Sequence, residues 1–238
     1  MSIERRYIEE NYLKNNPDWD SSDAPWKALH VLKILKDNRI VFERVCEIGC
    51  GSGDILNIIS NNLSTVTAVG FDISPHLEKF WKEHSVNKNI KFICGDFSKI
   101  NTEIFDVLLM IDVFEHVRDP FTFLEEASKI SKYFVFHIPL DLSVTTVARG
   151  YPLLNSRRKV GHIHYYTKDL ALETLKETGY EIIEWRYTGA SLSSPKRSFL
   201  THLISPLRRF FYFLNRDLAV RLIGGDTLLV LARQKTDP

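Results

Sequence analysis

Cysteine is scarce in this chain of 238 residues: Cys46, Cys50 and Cys94 are the only three. They form no paired framework, which argues against a disulfide-stapled scaffold and for a reducing compartment, the cytoplasm. Cys46 and Cys50 are spaced as CxxxC, but no second ligand pair accompanies them, so a zinc site there is not expected. Long apolar runs are missing too. Stretches such as Val107–Ile111 fall far short of the roughly 20 residues that cross a bilayer. The opening residues, MSIERRYIEENYLKNN, have no apolar core of the kind a secretory signal carries. Nor does one charge dominate: 31 basic residues face 30 acidic ones, a net +1, so whole-chain electrostatics does not call for a nucleic-acid partner. Repeats and low-complexity tracts are absent.

What is present is unevenly placed. Residues 1–143 hold 16 Lys and Arg against 22 Asp and Glu, whereas residues 144–225 hold 13 against 6. The acidic and basic parts are expected to do different jobs. Short apolar runs alternate with helical patterns through the middle, the mark of an α/β fold with a mostly parallel sheet and helices on both faces. Strands are expected at Arg44–Ile48, Thr65–Phe71, Ile90–Ile93, Phe105–Ile111, Tyr133–Ile138, Tyr180–Tyr187 and Asp226–Ala232. Helices are expected at Ala24–Asn38, with Trp26, Leu29, Leu32 and Leu35 near one face, at Asp54–Asn62 and at Pro75–His84. Another should run from Asp119 and Pro120 to about Ser131, and one more over Lys168–Thr178, stopped by Gly179.

Residues 140–166 contain Gly150, Pro152 and Gly161 without clear periodicity and read as an irregular insertion. Further on, Phe199, Leu200, Leu203, Ile204, Leu207, Phe210, Phe211 and Leu214 make one helical stripe over 199–214. Pro206 either kinks that helix or opens a second.

The most informative segment is Val45–Gly53, VCEIGCGSG, an apolar strand running into glycines spaced GxGxG with a helix after it. Glycines there let the backbone approach a ligand closely, and N–H groups at the helix start favour anionic or polar groups. Such a loop also serves dinucleotides, or is a plain tight turn. Two carboxylates narrow the choice. Glu47 stands two residues before the first glycine, where it would repel a pyrophosphate but attract an amino group. Asp72 ends the second strand, 19 residues after Gly53, the place from which a carboxylate accepts bonds from ribose hydroxyls.

In these segments the chain resembles the class I S-adenosylmethionine-dependent methyltransferases. EIGCGSG matches their first motif and GFDIS (70–74) their second; CGDF (94–97) and FDVLLMIDVFEHVRDP (105–120) look like the next two. The likeness covers roughly residues 20–140, and GHIHYYTKDLALETLKETGY (161–180) is similar to the ubiquinone-biosynthesis-like O-methyltransferase branch. It implies a Rossmann-like, seven-stranded sheet with the last strand antiparallel, and S-adenosyl-L-methionine as cofactor. The cofactor contacts it implies are Glu47, Gly49, Cys50, Gly51, Gly53, Asp72, Ile73, Asp96, Phe97 and Asp112. Lys27, in DAPWKA, adds a candidate contact to the cofactor carboxylate. One domain is expected over 1–238: a helical cap (1–40), a cofactor-binding core (41–139), an acceptor-side elaboration (140–225), and a last strand with its tail (226–238).

A hydroxyl acceptor needs a base, and imidazole is best poised near neutral pH. His116, His162 and His164 lie where the acceptor pocket should open, as bases or as hydrogen-bond donors. The alternation of His162 and His164 along an extended segment would point them the same way. A metal held by them with Glu115 or Asp141 is not expected, because no carboxylate sits close by in that loop. The basic residues Arg157, Arg158, Lys159, Lys196, Arg197, Arg208, Arg209, Arg216 and Arg221 favour an anionic or lipid-linked small-molecule acceptor. The 199–214 stripe is left as core, dimer contact, lid or membrane-surface contact, in a monomer or homodimer. The expected reaction is methyl transfer to oxygen, less readily to nitrogen. The alternatives are a nicotinamide-dependent oxidoreductase, since Asp72 and the glycines fit both, or an inactive S-adenosylmethionine-binding protein.

Overall fold

Val107, Leu109 and Ile111 face one side of their strand, Leu108 and Met110 the other, and all five are buried in the computed structural model of the chain. A strand buried on both faces sits inside a sheet covered by helices on each side. The structure describes residues 5–9, 11–19, 21–84, 87–100, 103–195, 203 and 205–235. Seven strands are formed: β1 (Arg44–Ile48), β2 (Thr67–Asp72), β3 (Ile90–Cys94), β4 (Phe105–Ile111), β5 (Ser131–Pro139), β6 (Tyr180–Tyr187) and β7 (Thr227–Gln234). Their order across the sheet is β3-β2-β1-β4-β5-β7-β6. The first five are parallel, and β7 runs antiparallel between β5 and β6. Strand order reverses between β1 and β4, and in open α/β sheets the crevice beyond that reversal is where ligands bind.

On one face, Ala28, Val31, Ile34 and Leu35 of the helix Ala24–Asp37 and Leu56 and Ile59 of Asp54–Asn62 cover Val107, Leu109, Val135 and Leu229. On the other, Leu124 and Ala127 of Pro120–Ala127 and Ala171 and Leu175 of Lys168–Glu177 cover Leu108, Met110, Phe134 and Val230. The stripe expected on the first of these helices is turned by one position. Leu29 is 65% exposed, because Ala24, Lys27, Ala28, Val31, Ile34 and Leu35 make the buried face instead.

The expected irregular insertion is largely helical. Val144–Arg149 and Tyr151–Lys159 are helices. Ser143 caps the first through a reciprocal bond with Thr146, Gly150 at φ +63° joins the two, and Pro152 sits in the first turn of the second. The residues that look like breakers mark boundaries. Beyond residue 204, a helix spans Ser205–Ile223 with Pro206 in its first turn, as a proline that opens a helix should be, and a further break lies at Asn215 (φ −160°, ψ +102°). Asn215 Oδ1 accepts from the Leu218 N–H at 2.9 Å and so caps the second part. Most of residues 199–204, like Lys196 and Arg197, lie outside the described residues. Among the described residues no helix is long and apolar enough to cross a membrane.

Candidate active site

A cavity of about 680 Å³ opens at the C-terminal ends of β1, β2 and β4. The glycine loop after β1 forms its floor. Gly49 has φ +71°, and a Cβ there would come within 2.7 Å of Val113 Cγ2; Gly53 has φ +85°, with the Phe92 ring 2.5 Å from where a Cβ would be. Only glycine fits either place. Gly49, Cys50 and Gly51 line the cavity, whereas Gly53 shapes the turn into Asp54–Asn62 from outside the wall. The loop N–H groups differ from expectation: those of Gly49 and Cys50 donate to the Phe71 carbonyl (2.8 and 3.0 Å), and that of Gly51 to Asp72 Oδ2 (3.0 Å). They hold the loop against β2 before any ligand arrives.

Glu47 stands at the end of β1, 1% exposed, and its Oε2 has no hydrogen-bond partner. Burial drives its carboxyl well above the ordinary range, against the pull of Lys27. A buried, unpartnered carboxylate oxygen beside the loop is an acceptor waiting for a donor. Asp72 Oδ1 accepts from the Ser74 N–H (2.9 Å), which aims the carboxylate along the cavity wall. Burial pushes its carboxyl up to about 6, against the backbone N–H groups of Ser74 and Gly51. Ile73 lines the same wall.

Asp112, at φ +56° just past β4, is held on both oxygens. Lys27 Nζ is 2.9 Å from Oδ2, and His137 Nδ1 donates to Oδ1 at 2.6 Å. Burial would raise its carboxyl, but His137 and Lys27 outweigh burial and hold it far below the carboxylate range. Lys27 therefore neutralises Asp112 within the protein. His137 Nε2 pairs in turn with Thr227 Oγ1 at 2.8 Å. Asp96 is self-contained: Oδ1 accepts from Ser98 N–H and Oγ (3.1 and 2.9 Å), and Oδ2 pairs with Lys99 (3.0 Å). Phe97 packs edge-on against Phe123 at 5.3 Å, and all three line the cavity.

The histidines divide. His116 and His162 line the cavity, their rings 4.8 Å apart. His164 does not: its Nε2 donates to the Val117 carbonyl at 2.9 Å. The two histidines of GHIHYY thus do not point the same way. The GHIHYY segment itself holds no acid, but two carboxylates from elsewhere in the chain reach His162. Asp141 Oδ2 accepts from His162 Nδ1 at 2.5 Å, and Glu115 Oε1 lies 3.9 Å from His116 Nε2 and 4.0 Å from His162 Nε2. Burial lowers His162, yet the Asp141 hydrogen bond and the Glu115 charge more than offset it, so it titrates above an ordinary histidine. Glu115 is fully buried and pushed up to about 8 by burial, against His162.

Tyr7 is a site residue that sequence reasoning misses. Its hydroxyl meets His116 Nδ1 at 2.9 Å, bringing the N-terminal helix Arg5–Ile8 over the cavity. No local signal marks it, since the two lie 109 positions apart. Asp141, named with Glu115 in the sequence as a partner of the histidines but set aside, follows Pro139 at the end of β5, where α/β sheets gather ligands. The basic residues Arg157, Arg158 and Lys159 are exposed and form no part of the cavity wall, whereas Arg118 does.

The donor set fits S-adenosylmethionine. Glu47 presents a buried acceptor for an amino group, Asp72 an aimed carboxylate for hydroxyls, and the loop a floor free of side chains.

Comparison with known proteins agrees. The family described as "Methyltransferase domain" matches residues 20–184. A ubiquinone biosynthesis O-methyltransferase of Xanthomonas campestris pv. campestris (strain B100) is 25% identical over 125 residues, 48% of this chain and 52% of the relative. The chain spans about half the length of such curated relatives. Among solved structures, a chain of the complex between the Haloferax volcanii Trm112 methyltransferase activator and a putative methyltransferase superposes with TM-score 0.69 at 17% identity, covering 100% of this chain and 99% of that one. Magnesium protoporphyrin IX methyltransferase of Synechocystis PCC 6803, with bound SAH, gives 0.63 at 11% identity, covering 98% and 100%. At such identities the structural likeness speaks for the fold.

Proposed function

The chain belongs to the methyltransferase-domain family, and on that premise we propose that it transfers a methyl group from S-adenosylmethionine to a hydroxyl oxygen of a small acceptor. The observation that carries the cofactor half is the buried, unpartnered Oε2 of Glu47 beside the glycine loop. S-adenosylmethionine supplies an electrophilic methyl group on a positively charged sulfur. Glu47 accepts from its amino group, Asp72 from the ribose hydroxyls, and Gly49, Cys50, Gly51 and Ile73 let it lie against the loop. Asp96 and Phe97 border the adenine end, and the Lys27–Asp112 pair borders the methionine end. A nicotinamide dinucleotide fits this wall poorly, because its pyrophosphate would meet the carboxylates of Glu47 and Asp72.

The acceptor half rests on His162. Asp141 holds its Nδ1 and so turns Nε2 toward Glu115 and the cavity, the arrangement of an oriented base. His162 takes the hydroxyl proton as the oxygen attacks, and His116, fixed by Tyr7, hydrogen-bonds the same oxygen. An amine acceptor brings its own lone pair once neutral and needs no such base, which favours oxygen over nitrogen. His164 holds the Val117 turn and plays no chemical part.

A lipid-linked acceptor suits the outer surface. Leu207, Phe210, Phe213 and Leu214 are each more than half exposed on Ser205–Ile223, which also carries the exposed Arg209 and packs against the helix Val144–Arg149, while Arg149, Arg157, Arg158 and Lys159 are exposed as well. Residues 144–160 contain no acid at all. Such a face is complementary to an anionic lipid surface. Its inner side reaches the cavity: Tyr212 OH pairs with Ser191 Oγ at 3.2 Å, next to the wall residue Ala190.

The reaction is tested by incubating the protein with methyl-labelled S-adenosylmethionine and panels of phenols, carboxylates, sugar hydroxyls and amines. Label should enter a hydroxyl compound, and His162→Ala should lower kcat by about 10²–10⁴-fold. Label entering amines alone would overturn the oxygen assignment, and tight cofactor binding without any transfer would leave a binding protein.

A further inference from the structure

Arg208 is a buried charge that the fold leaves unmatched. It sits on the helix Ser205–Ile223 and is only 7% exposed. Its Nε is enclosed without a hydrogen-bond partner, and among the described residues no hydrogen bond or ion pair reaches its other nitrogens. A guanidinium cannot shed its proton to escape burial, as a lysine can. Such a charge is costly unless something negative joins it.

The acid on that side of the helix is already taken. Asp226, 2% exposed, accepts at Oδ1 from the N–H groups of Gly189, Ala190 and Thr227 (2.7, 3.1 and 2.9 Å). Its Oδ2 accepts from Tyr212 OH and Arg216 Nη2, both at 3.2 Å. Arg216 lies over the rings of Tyr187 and Tyr212 (5.3 and 5.4 Å), and its Nε too is buried without a partner. Two arginines thus share one saturated carboxylate, and a positive charge is left over.

The fork of Arg208 is held where a ligand can be reached. It lies against Gly225, at φ +79°, where a Cβ would stand 3.2 and 3.3 Å from its two terminal nitrogens. Gly225 is two residues before Thr227, which lines the cavity together with Ala190. In the sheet β7 is separated from β1 by β4 and β5, three strand spacings or roughly 14 Å. This part of the wall therefore belongs to the acceptor and not to the glycine loop.

We propose that Arg208, resting on Gly225 and backed by Arg216, binds one oxyanionic group of the acceptor, a phosphate or a carboxylate. The planar fork matches either group with two parallel hydrogen bonds. The inference names the substrate class of the acceptor site and rests on that reading. The acceptor carries a hydroxyl for His162 and an oxyanion for Arg208. Two sources offer that oxyanion: a soluble ester or acid, and a lipid head group, since the outer face of the same helix is the apolar one.

Calorimetric titration of the full chain with inorganic phosphate, then with acetate, at constant ionic strength tests this. Wild type should bind about one of either anion per chain, saturably. Arg208→Met, whose unbranched stem still fills the space, should weaken binding by at least about tenfold, and Arg208→Lys, which keeps the charge but loses the fork, by several-fold. Arg209→Gln, the exposed neighbour, should change it by less than about twofold. Because Arg208→Met removes an unmatched charge, its unfolding temperature without anion should equal or exceed that of wild type. Phosphate should raise the temperature of wild type alone. A temperature that falls on this substitution makes the guanidinium a structural prop and overturns the proposal. So does binding of neither anion, or binding that Arg208→Met retains. Sedimentation with phosphatidylglycerol vesicles separates the sources: an Arg208→Met protein that loses vesicles along with phosphate assigns the oxyanion to a lipid head group, and one that keeps them assigns it to a soluble acceptor. Titration of the same samples with S-adenosylmethionine keeps the readings apart. Intact cofactor binding without anion binding removes the anion site alone, whereas wild type that binds phosphate but no cofactor removes the methyltransferase reading and leaves the anion site standing.

Discussion

Lys27 Nζ lies 2.9 Å from Asp112 Oδ2, tying the helix Ala24–Asp37 to the end of β4. Asp112 adopts φ +56°, a conformation that costs a non-glycine residue roughly 1–3 kcal/mol and persists only when its surroundings insist on it. Lys27 on one oxygen and His137 on the other supply that insistence. Removing one partner of a buried pair typically costs about 3–5 kcal/mol; because His137 remains, Lys27→Met should cost less, about 2 kcal/mol, read from urea unfolding. The Asp112 carboxyl is held below its unfolded value. Its contribution should therefore be present at neutral pH and fade only in strong acid.

Asp72 should give cofactor binding a pH dependence. Its carboxyl titrates at about 6 in the folded protein, and only the charged form is a strong acceptor for ribose hydroxyls. Affinity for S-adenosylmethionine should be flat above neutrality and fall as pH drops through about 6. Asp72→Asn should weaken binding by about tenfold, or about 1.4 kcal/mol, and remove the pH step. A step that survives the substitution belongs to another group.

Gly53→Ala should be strongly destabilising although Gly53 is not on the cavity wall. The residue has φ +85°, and the added methyl would meet the Phe92 ring at 2.5 Å. Left-handed backbone and overpacking together come to about 2–4 kcal/mol. Thermal unfolding measures it, and a shift of under a degree would contradict the loop geometry.

The elements of the cofactor half were legible in the sequence because each carries a local signal. The apolar run of β4, the glycines after β1 and the acid ending β2 are all read within a few residues. Beyond Pro139 the signals mislead. Gly150 and Pro152 look like breaks, yet one joins two helices and the other opens the second. Leu29 looks like a core residue, but the small Ala24 and Ala28 and the aliphatic stem of Lys27 let the helix pack one position round. The acceptor cluster was only half legible. His116 and His162 stand out by type, but what makes them a site is Tyr7, Asp141 and Glu115, and those partnerships arise from folding segments up to 109 residues apart.

His164 provides the control for His162. Its bond to the Val117 carbonyl is structural, so His164→Ala should lose about 1 kcal/mol of stability and keep kcat within a factor of about two or three. Comparable losses of turnover in both variants would mean that neither acts on the acceptor directly.

Contact with lipid is checked by co-sedimentation with vesicles. Phosphatidylglycerol vesicles should carry the protein down at low salt and phosphatidylcholine vesicles should not, because exposed cations such as Arg209, next to Phe210, lose most of their attraction to a neutral surface. Phe210→Glu with Phe213→Glu should abolish sedimentation and leave cofactor affinity intact. A wild-type dimer in solution that the double variant splits would assign the face to a second copy instead.

The central claim is tested most directly by calorimetric titration of the protein with S-adenosylmethionine, its demethylated product and NADH, for wild type, Glu47→Gln and Asp72→Ala. The account expects micromolar binding of the first two ligands, none of NADH, and at least about tenfold weaker binding in each variant. Binding of NADH alone, or S-adenosylmethionine affinity indifferent to both carboxylates, would contradict it.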